Sequence, residues 1–134
     1  MENCIYAAGL MDGEGTITLS RRNGGEFRSP IVSMSSTTYE LVQFMKDSFG
    51  GCVSSHKTYK SHHKPSWVWK ISGDSAINFL RSVSPHMKEP EKLRRSQLIL
   101  TQYKAVTKRN GKYNTKDREA KFAFEALFFH PSTP

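Results

Sequence analysis

The chain has 134 residues, 37% of them hydrophobic, which is enough to enclose one core and leaves no room for a second independent domain. Its 20 Lys and Arg against 12 Asp and Glu give a formal net charge of +8 and a pI near 9.7, which points to a polyanionic partner, nucleic acid or a membrane surface. Wholesale disorder, a membrane span and, with only Cys4 and Cys52, a disulfide framework are all set aside.

Residues 3–12 are expected to form an apolar helix, Asn3 to Asp12, ended by the Gly13-Glu14-Gly15 segment. Thr16 to Ser20 alternates with period two, as a strand with one buried face does, and Arg21-Arg-Asn-Gly-Gly25 supplies a hairpin turn. The return strand, Ile31 to Ser35, sends Val32 and Met34 one way and Ser33 and Ser35 the other. Thr37-Thr-Tyr-Glu40 has the form of a capping box. The helix it opens carries Leu41, Phe44, Met45 and Phe49 on one stripe and ends at Gly50.

A second hairpin is expected from Gly51 to Ser72. Its far arm places Trp67, Trp69 and Ile71 on the core side and Val68 and Lys70 on the other. Gly73-Asp-Ser75 opens a helix with Ile77, Leu80 and Val83 as its stripe, closed by Pro85. Helices from Leu93 to Tyr103 and from about Asp117 to Phe129 follow. The order predicts one α+β domain over residues 1–134, with an αββαββα core over about 3–103 and a basic helical tail over about 104–134.

The positive charge is concentrated. From Lys88 to Lys121 eleven basic residues face four acids, and Ser54 to Lys64 contains no acid at all. A membrane-surface helix would back its cations with a continuous apolar face, whereas this second patch carries Ser, Thr, Tyr and His, side chains that contact phosphates and bases. Nucleic acid is therefore the expected partner and no membrane is. Cys52, His56, His62 and His63 could suggest zinc, but the Cys-x-x-x-His lies on a predicted strand and no second Cys pair exists. The alternation around Trp67 and Trp69 makes them core rather than platforms for stacked bases.

Two glycines, Gly9 and Gly13, lie four apart on one helix face and permit close backbone approach, which suits packing against a copy of the same helix. Asp12 and Glu14 fall at the helix C-terminus, where the macrodipole disfavours carboxylates, so a bound cation would offset their cost. The stretch Tyr6-Ala-Ala-Gly-Leu-Met-Asp-Gly-Glu-Gly-Thr-Ile17 closely resembles the signature of the LAGLIDADG homing endonucleases, with Ala8 to Gly15 covering the defining positions. The αββαββα order agrees with that family over roughly the first hundred residues.

The resemblance implies a four-stranded antiparallel sheet shaped as a saddle over the DNA major groove. It implies that Glu14, with Gly13 beside it, holds a divalent metal as the catalytic carboxylate, and that Asp12 serves the site by hydrogen bonding near the helix ends. Mg²⁺ is the implied cofactor, with Mn²⁺ or Ca²⁺ as substitutes for binding. One copy of the signature implies a homodimer through Ala8, Gly9, Asp12 and Gly13. Exposed strand positions imply base contacts from Thr18, Ser20, Arg22, Ser33, Ser54, His56, Val68 and Lys70. Arg28, Lys57, Lys60 and Lys64 are expected on phosphates or flanking bases.

The family also places a basic residue near the scissile phosphate. Lys88, Lys92 and Arg94 each fit under a different anchor, with Lys92 favoured, and Ser35 or Ser36 would orient water. The implied activity is double-strand cleavage of a long pseudo-palindromic site, leaving 5′-phosphates and short 3′ overhangs, in the service of intron or intein mobility. An RNA-binding intron maturase and a cleavage-dead DNA-binding protein of the same fold are the alternatives, and intron RNA is a further candidate partner. The first residues lack a basic stretch ahead of an apolar core, so no secretory signal is expected. Two cysteines outside any framework suit a reducing interior, in an organelle (chloroplast or mitochondrion), a bacterium or a phage-infected cell.

Overall fold

In the computed structural model, residues 1–22, 25–56, 64–108 and 111–131 are described, His56 by its backbone alone. The first helix, α1 (Glu2–Glu14), runs two residues beyond the expected end and takes in both Gly13 and Glu14. It passes without a loop into strand β1 (Gly15–Arg21). The backbone turns at Gly15, which is extended and donates its N–H to the Met11 carbonyl. A Cβ at Gly15 would meet the Met11 side chain and lie 2.9 Å from the Met11 Cα, a backbone atom that cannot step aside, so glycine lets helix and strand meet this closely.

The remaining elements are β2 (Arg28–Ser36), α2 (Tyr39–Phe49), β3 (Cys52–His56), β4 (Ser66–Ser72), α3 (Gly73–Val83), α4 (Pro90–Leu98) and α5 (Thr115–Phe129). A 3₁₀ turn over Ser84–His86 separates α3 from α4. After Leu98 the helix widens into a π turn over Ile99–Tyr103 and tightens into a 3₁₀ turn over Lys104–Val106.

All strand pairs are antiparallel, in the order β1-β2-β4-β3. Alternation divides the sheet cleanly. Ile17, Leu19, Val32, Met34, Trp69 and Ile71 join Ala7, Ala8 and Met11 of α1, Val42 and Met45 of α2, and the α3 stripe in one hydrophobic cluster. Trp69 is fully buried, and its Nε1 donates to the Gly50 carbonyl at 2.7 Å. Gly51, at φ +89°, fits here because a Cβ would strike the Lys70 carbonyl. The opposite face carries cross-strand rows read from the register. One runs Thr16, Ser33, Lys70, Cys52, and the next runs Ser35, Val68, Ser54.

Three local expectations are corrected. The capping box at Thr37–Glu40 does not form: Thr38 caps α2 without a side-chain bond, and its own N–H goes to Ser36 Oγ at 3.0 Å. The helix expected from Leu93 starts three residues earlier, at Pro90, since the first helical position has no use for an N–H, and the Glu89 carboxylate caps Lys92 N at 2.6 Å. The core does not stop near residue 103. An Asn114–Asp117 capping box starts α5, and Phe124 and Phe128 are buried in the same cluster as the strands. Each such ring is worth about 1.5–3 kcal/mol of burial. Among the described residues, no helix is long and apolar enough to cross a membrane.

Candidate functional site

The junction of α1 and β1 is tied to α4 and the segment before it by several long-range hydrogen bonds. Glu14, the last residue of α1, is exposed, and among the described residues no protein group hydrogen-bonds its carboxylate. The Asp12 carboxylate, by contrast, is occupied. It accepts from Lys88 N at 3.0 and 2.9 Å and from Glu89 N at 3.0 Å, which ties the chain entering α4 to the end of α1. Lys92 Nζ donates to the Met11 and Asp12 carbonyls at 2.8 and 2.9 Å. An ammonium at the negative end of the α1 dipole offsets part of the cost of two carboxylates there. The protein thus supplies within itself some of the positive charge that a cation was expected to bring.

Of the three basic candidates, Lys92 alone brings its charged group to α1. Lys88 contributes its backbone N–H, and Arg94 faces away, donating to Glu91 and to the Phe128 carbonyl at 2.7 Å. Hydrogen bonding from Arg94, and then from Arg95, pulls the Glu91 carboxyl down from 4.5 to about 2. Among the described residues no three His, Cys, Asp or Glu side chains cluster as a metal site. Glu14, exposed and beside the Gly13 backbone, is the carboxylate at this junction that could hold a divalent cation.

The outward surface of α1 is partly apolar and open. Ile5 and Tyr6 are about half exposed, and Cβ atoms placed on Gly9 and Gly13 would meet nothing within 4 Å. Ala8 is corrected: it is fully buried with Ala7 and Met11, because 100° per residue puts it on the stripe of Cys4, Met11 and Gly15. The open stripe is instead Ile5, Gly9 and Gly13, with Asp12 at its border.

On the outer face of the sheet, Ser54 and Lys70 are exposed, and Thr18, Ser20 and Ser33 are half-buried. Thr16, Ser35 and Cys52 share this face; sequence reading did not include Thr16 or Cys52 in it, although simple alternation could have found them. Val68 is corrected. It lies at the sheet centre with Ser35 and Ser54 opposite it, is 4% exposed, and offers no surface to a base edge. Arg28 is corrected as well. It pairs with Arg21 on the core side of the sheet, where its Nη1 reaches Glu125 at 3.4 Å and its guanidinium lies 4.9 Å from the Phe129 ring centre.

Arg22, just past β1, donates to Ser72 Oγ at 2.7 Å, so it borders the same face. Lys64 is exposed ahead of β4. Lys57, Lys60, His62 and His63 lie outside the described residues, as does the His56 side chain. Of the two candidate water-orienting serines, Ser36 is engaged by Thr38 N. Ser35 is exposed, one step past the Gly15–Met34 pair.

Two features, a buried lysine and a partly buried arginine, were missed from the sequence. Lys121, 1% exposed, lies 4.2 Å from the Tyr103 ring centre and donates to Thr107 Oγ1. Burial pushes its ammonium from 10.5 down to about 8, while the nearby Glu125 carboxylate pulls the other way. Its place on the Phe124–Phe128 side of α5, at helical spacing, was the available signal. Arg95, the second, gave none.

No family model matches the chain, and no curated protein matches its sequence. Solved structures do match. The homing endonuclease I-CvuI, crystallised with its target in the presence of Ca, superposes with a TM-score of 0.67 over 96% of this chain and 78% of that one, at 15% identity. The archaeal intron-encoded homing endonuclease I-Vdi141I, complexed with DNA, gives 0.62 over 98% of this chain and 85% of that one, at 13% identity. The LAGLIDADG meganuclease I-AabMI, bound to uncleaved DNA, gives 0.66 over 93% of this chain and 44% of that one, at 16% identity. The chain has the LAGLIDADG homing endonuclease fold.

Proposed function

We propose that this chain is a site-specific double-strand DNA endonuclease that works as a homodimer on a pseudo-palindromic target. The observation that carries the reading is the position of Glu14. An exposed carboxylate without a protein partner among the described residues stands between an open glycine stripe on α1 and a sheet face lined with hydroxyls and Lys70. Pairing two α1 helices along Ile5, Gly9 and Gly13 brings two Glu14 carboxylates together at the centre of two adjoining sheet faces, one for each DNA strand.

Glu14 and the Gly13 backbone are the residues that would hold a divalent cation, Mg²⁺ or, for binding, Mn²⁺ or Ca²⁺. When bound, such a cation supplies Lewis-acid stabilisation of phosphate charge and a water of lowered pKa. The chain's own residues do the rest. Lys92 keeps positive charge at the junction, Asp12 fixes the entry to α4, and Ser35 offers an exposed hydroxyl one step past the Gly15–Met34 pair. Thr16, Thr18, Ser20, Ser33, Ser54 and Lys70 face the groove, where each good base contact is worth about 1–3 kcal/mol, so discrimination is the sum of many modest terms. Intron or intein mobility is the biological setting that the fold suggests.

A plasmid library of candidate sites, scored for linearisation with and without Mg²⁺, tests this directly. Wild type is expected to cut a subset only with the metal. Glu14→Gln is expected to bind those sites within a few-fold and to cut none. Full cleavage by Glu14→Gln would overturn the assignment.

A further inference from the structure

We propose that Arg95 is a positioning residue for the Glu14 carboxylate, and that the C-terminal helix reaches the reaction centre through it. The proposal rests on the endonuclease reading for its kinetic consequence; the anchoring itself does not.

Strand β1 is an edge strand, so half of its backbone groups have no partner strand. Arg95, on α4 one turn beyond Lys92, donates Nη1 to one such carbonyl, that of Ile17, at 2.8 Å. Lys92 holds the Met11 and Asp12 carbonyls. Glu14 is therefore bracketed: α4 grips the backbone two to three residues before it and three residues after it. Arg95, Lys92, Glu89, Gly15 and Thr16 line one cavity of about 200 Å³ beside this segment.

The grip is itself held. Arg95 Nε donates to Glu91 at 3.1 Å, and its guanidinium lies 4.9 Å from the Phe128 ring centre and 5.8 Å from that of Phe129, both on α5. Arg94 binds the last α5 carbonyls, those of Leu127 at 3.2 Å and Phe128 at 2.7 Å. The end of α5 thus holds both α4 arginines, and Arg95 in turn holds the edge of β1. Arg95 does not read as a catalytic group, since its Nε and Nη1 are committed to the Glu91 carboxylate and the Ile17 carbonyl and its plane lies over the α5 rings. A lysine would keep the charge and one donor but lose the planar stack and the fork.

The test pairs kinetics with a readout that needs no cleavage. In single-turnover cleavage at saturating enzyme, Arg95→Gln is expected to lower the rate about tenfold to a hundredfold, the range for a small misplacement of reacting groups. DNA affinity in Ca²⁺ should stay within a few-fold of wild type. Arg95→Lys should recover part of the rate. Amide exchange should rise across residues 13–18 in Arg95→Gln and remain unchanged in β4. Exchange at residues 13–18 equal to wild type would overturn the proposal. So would an unchanged rate, or a rate loss matched by an equal loss of DNA affinity. Wild type that cuts no target would sink the endonuclease reading by itself, while the exchange comparison would still decide the anchor.

Discussion

Replacing Lys121 with methionine should stabilise the protein at neutral pH, and the gain should disappear as the pH rises. Lys121 is 1% exposed, so the fold carries its ammonium out of water. Its pKa falls from 10.5 to about 8 for that reason, a gap that corresponds to about 3 kcal/mol favouring the neutral form. Because this is a base whose folded pKa lies below its unfolded one, the native state binds fewer protons than the unfolded state between about pH 8 and 10.5. Stability from this group therefore rises with pH across that window, and its full penalty stands below about pH 8.

Methionine matches the length of lysine and sets a thioether against the Tyr103 ring. The substitution forfeits the bond to Thr107, worth about 1 kcal/mol. Glu125 keeps its bonds from Arg28, through the backbone N at 3.2 Å and Nη1 at 3.4 Å, so no buried carboxylate is stranded. The net gain at pH 7 should be about 1–2 kcal/mol. Urea unfolding of both proteins at pH 7, 8, 9 and 10 reads the difference directly, and titrations common to both cancel. A difference that does not change with pH, or a methionine variant less stable than wild type at pH 7, would refute the reasoning.

Gly9→Leu should leave the monomer folded and its melting temperature unchanged or higher, since a Cβ there meets nothing and leucine is the better helix former by somewhat less than the ~0.8–1 kcal/mol that separates glycine from alanine. It should nevertheless abolish the dimer in light scattering at micromolar concentration; a dimeric Gly9→Leu would mean that the helices pair elsewhere. Neutralising Lys112 and Lys116 together should lower the salt slope of log K by about 0.9 for each phosphate that they grip in the wild type, while sequence preference survives. Lys108 is left out because its Nζ pairs with Asp117 at 2.6 Å. Parallel slopes in a salt series would show that these two lysines are only basic surface.

What the sequence determined by itself is local in character. Strand alternation depends on neighbours two residues apart, so it sorted Thr18, Ser20, Ser33, Ser54 and Lys70 to one face and Val32, Met34, Trp69 and Ile71 to the other before any packing was known. The helix stripe of α3 was legible from its three-to-four-residue spacing, that of α2 only in part, since Val42 outside the expected stripe is fully buried while Leu41, Phe44 and Phe49 are partly so. Also legible was the eight-residue run from Ala8 to Gly15, whose glycines and acids sit where one helix ends and a strand begins.

Other features depended on which element lies over which. Ala8 turned inward because α1 packs on α3 and the sheet, and Val68 has no open surface at the centre of four strands. Arg28 went to the core side because its partner, Glu125, is 97 residues away on α5. The contacts of Lys92 with α1 and of Arg95 with β1 span about 80 residues, and the positions of Lys121 and Glu125 inside the core follow from the docking of α5. A basic side chain reads alike in sequence whether it faces solvent, a phosphate or a backbone carbonyl. Only the tertiary structure decides among these, because each is a long-range interaction whose energy comes from the partner and from the water that both give up.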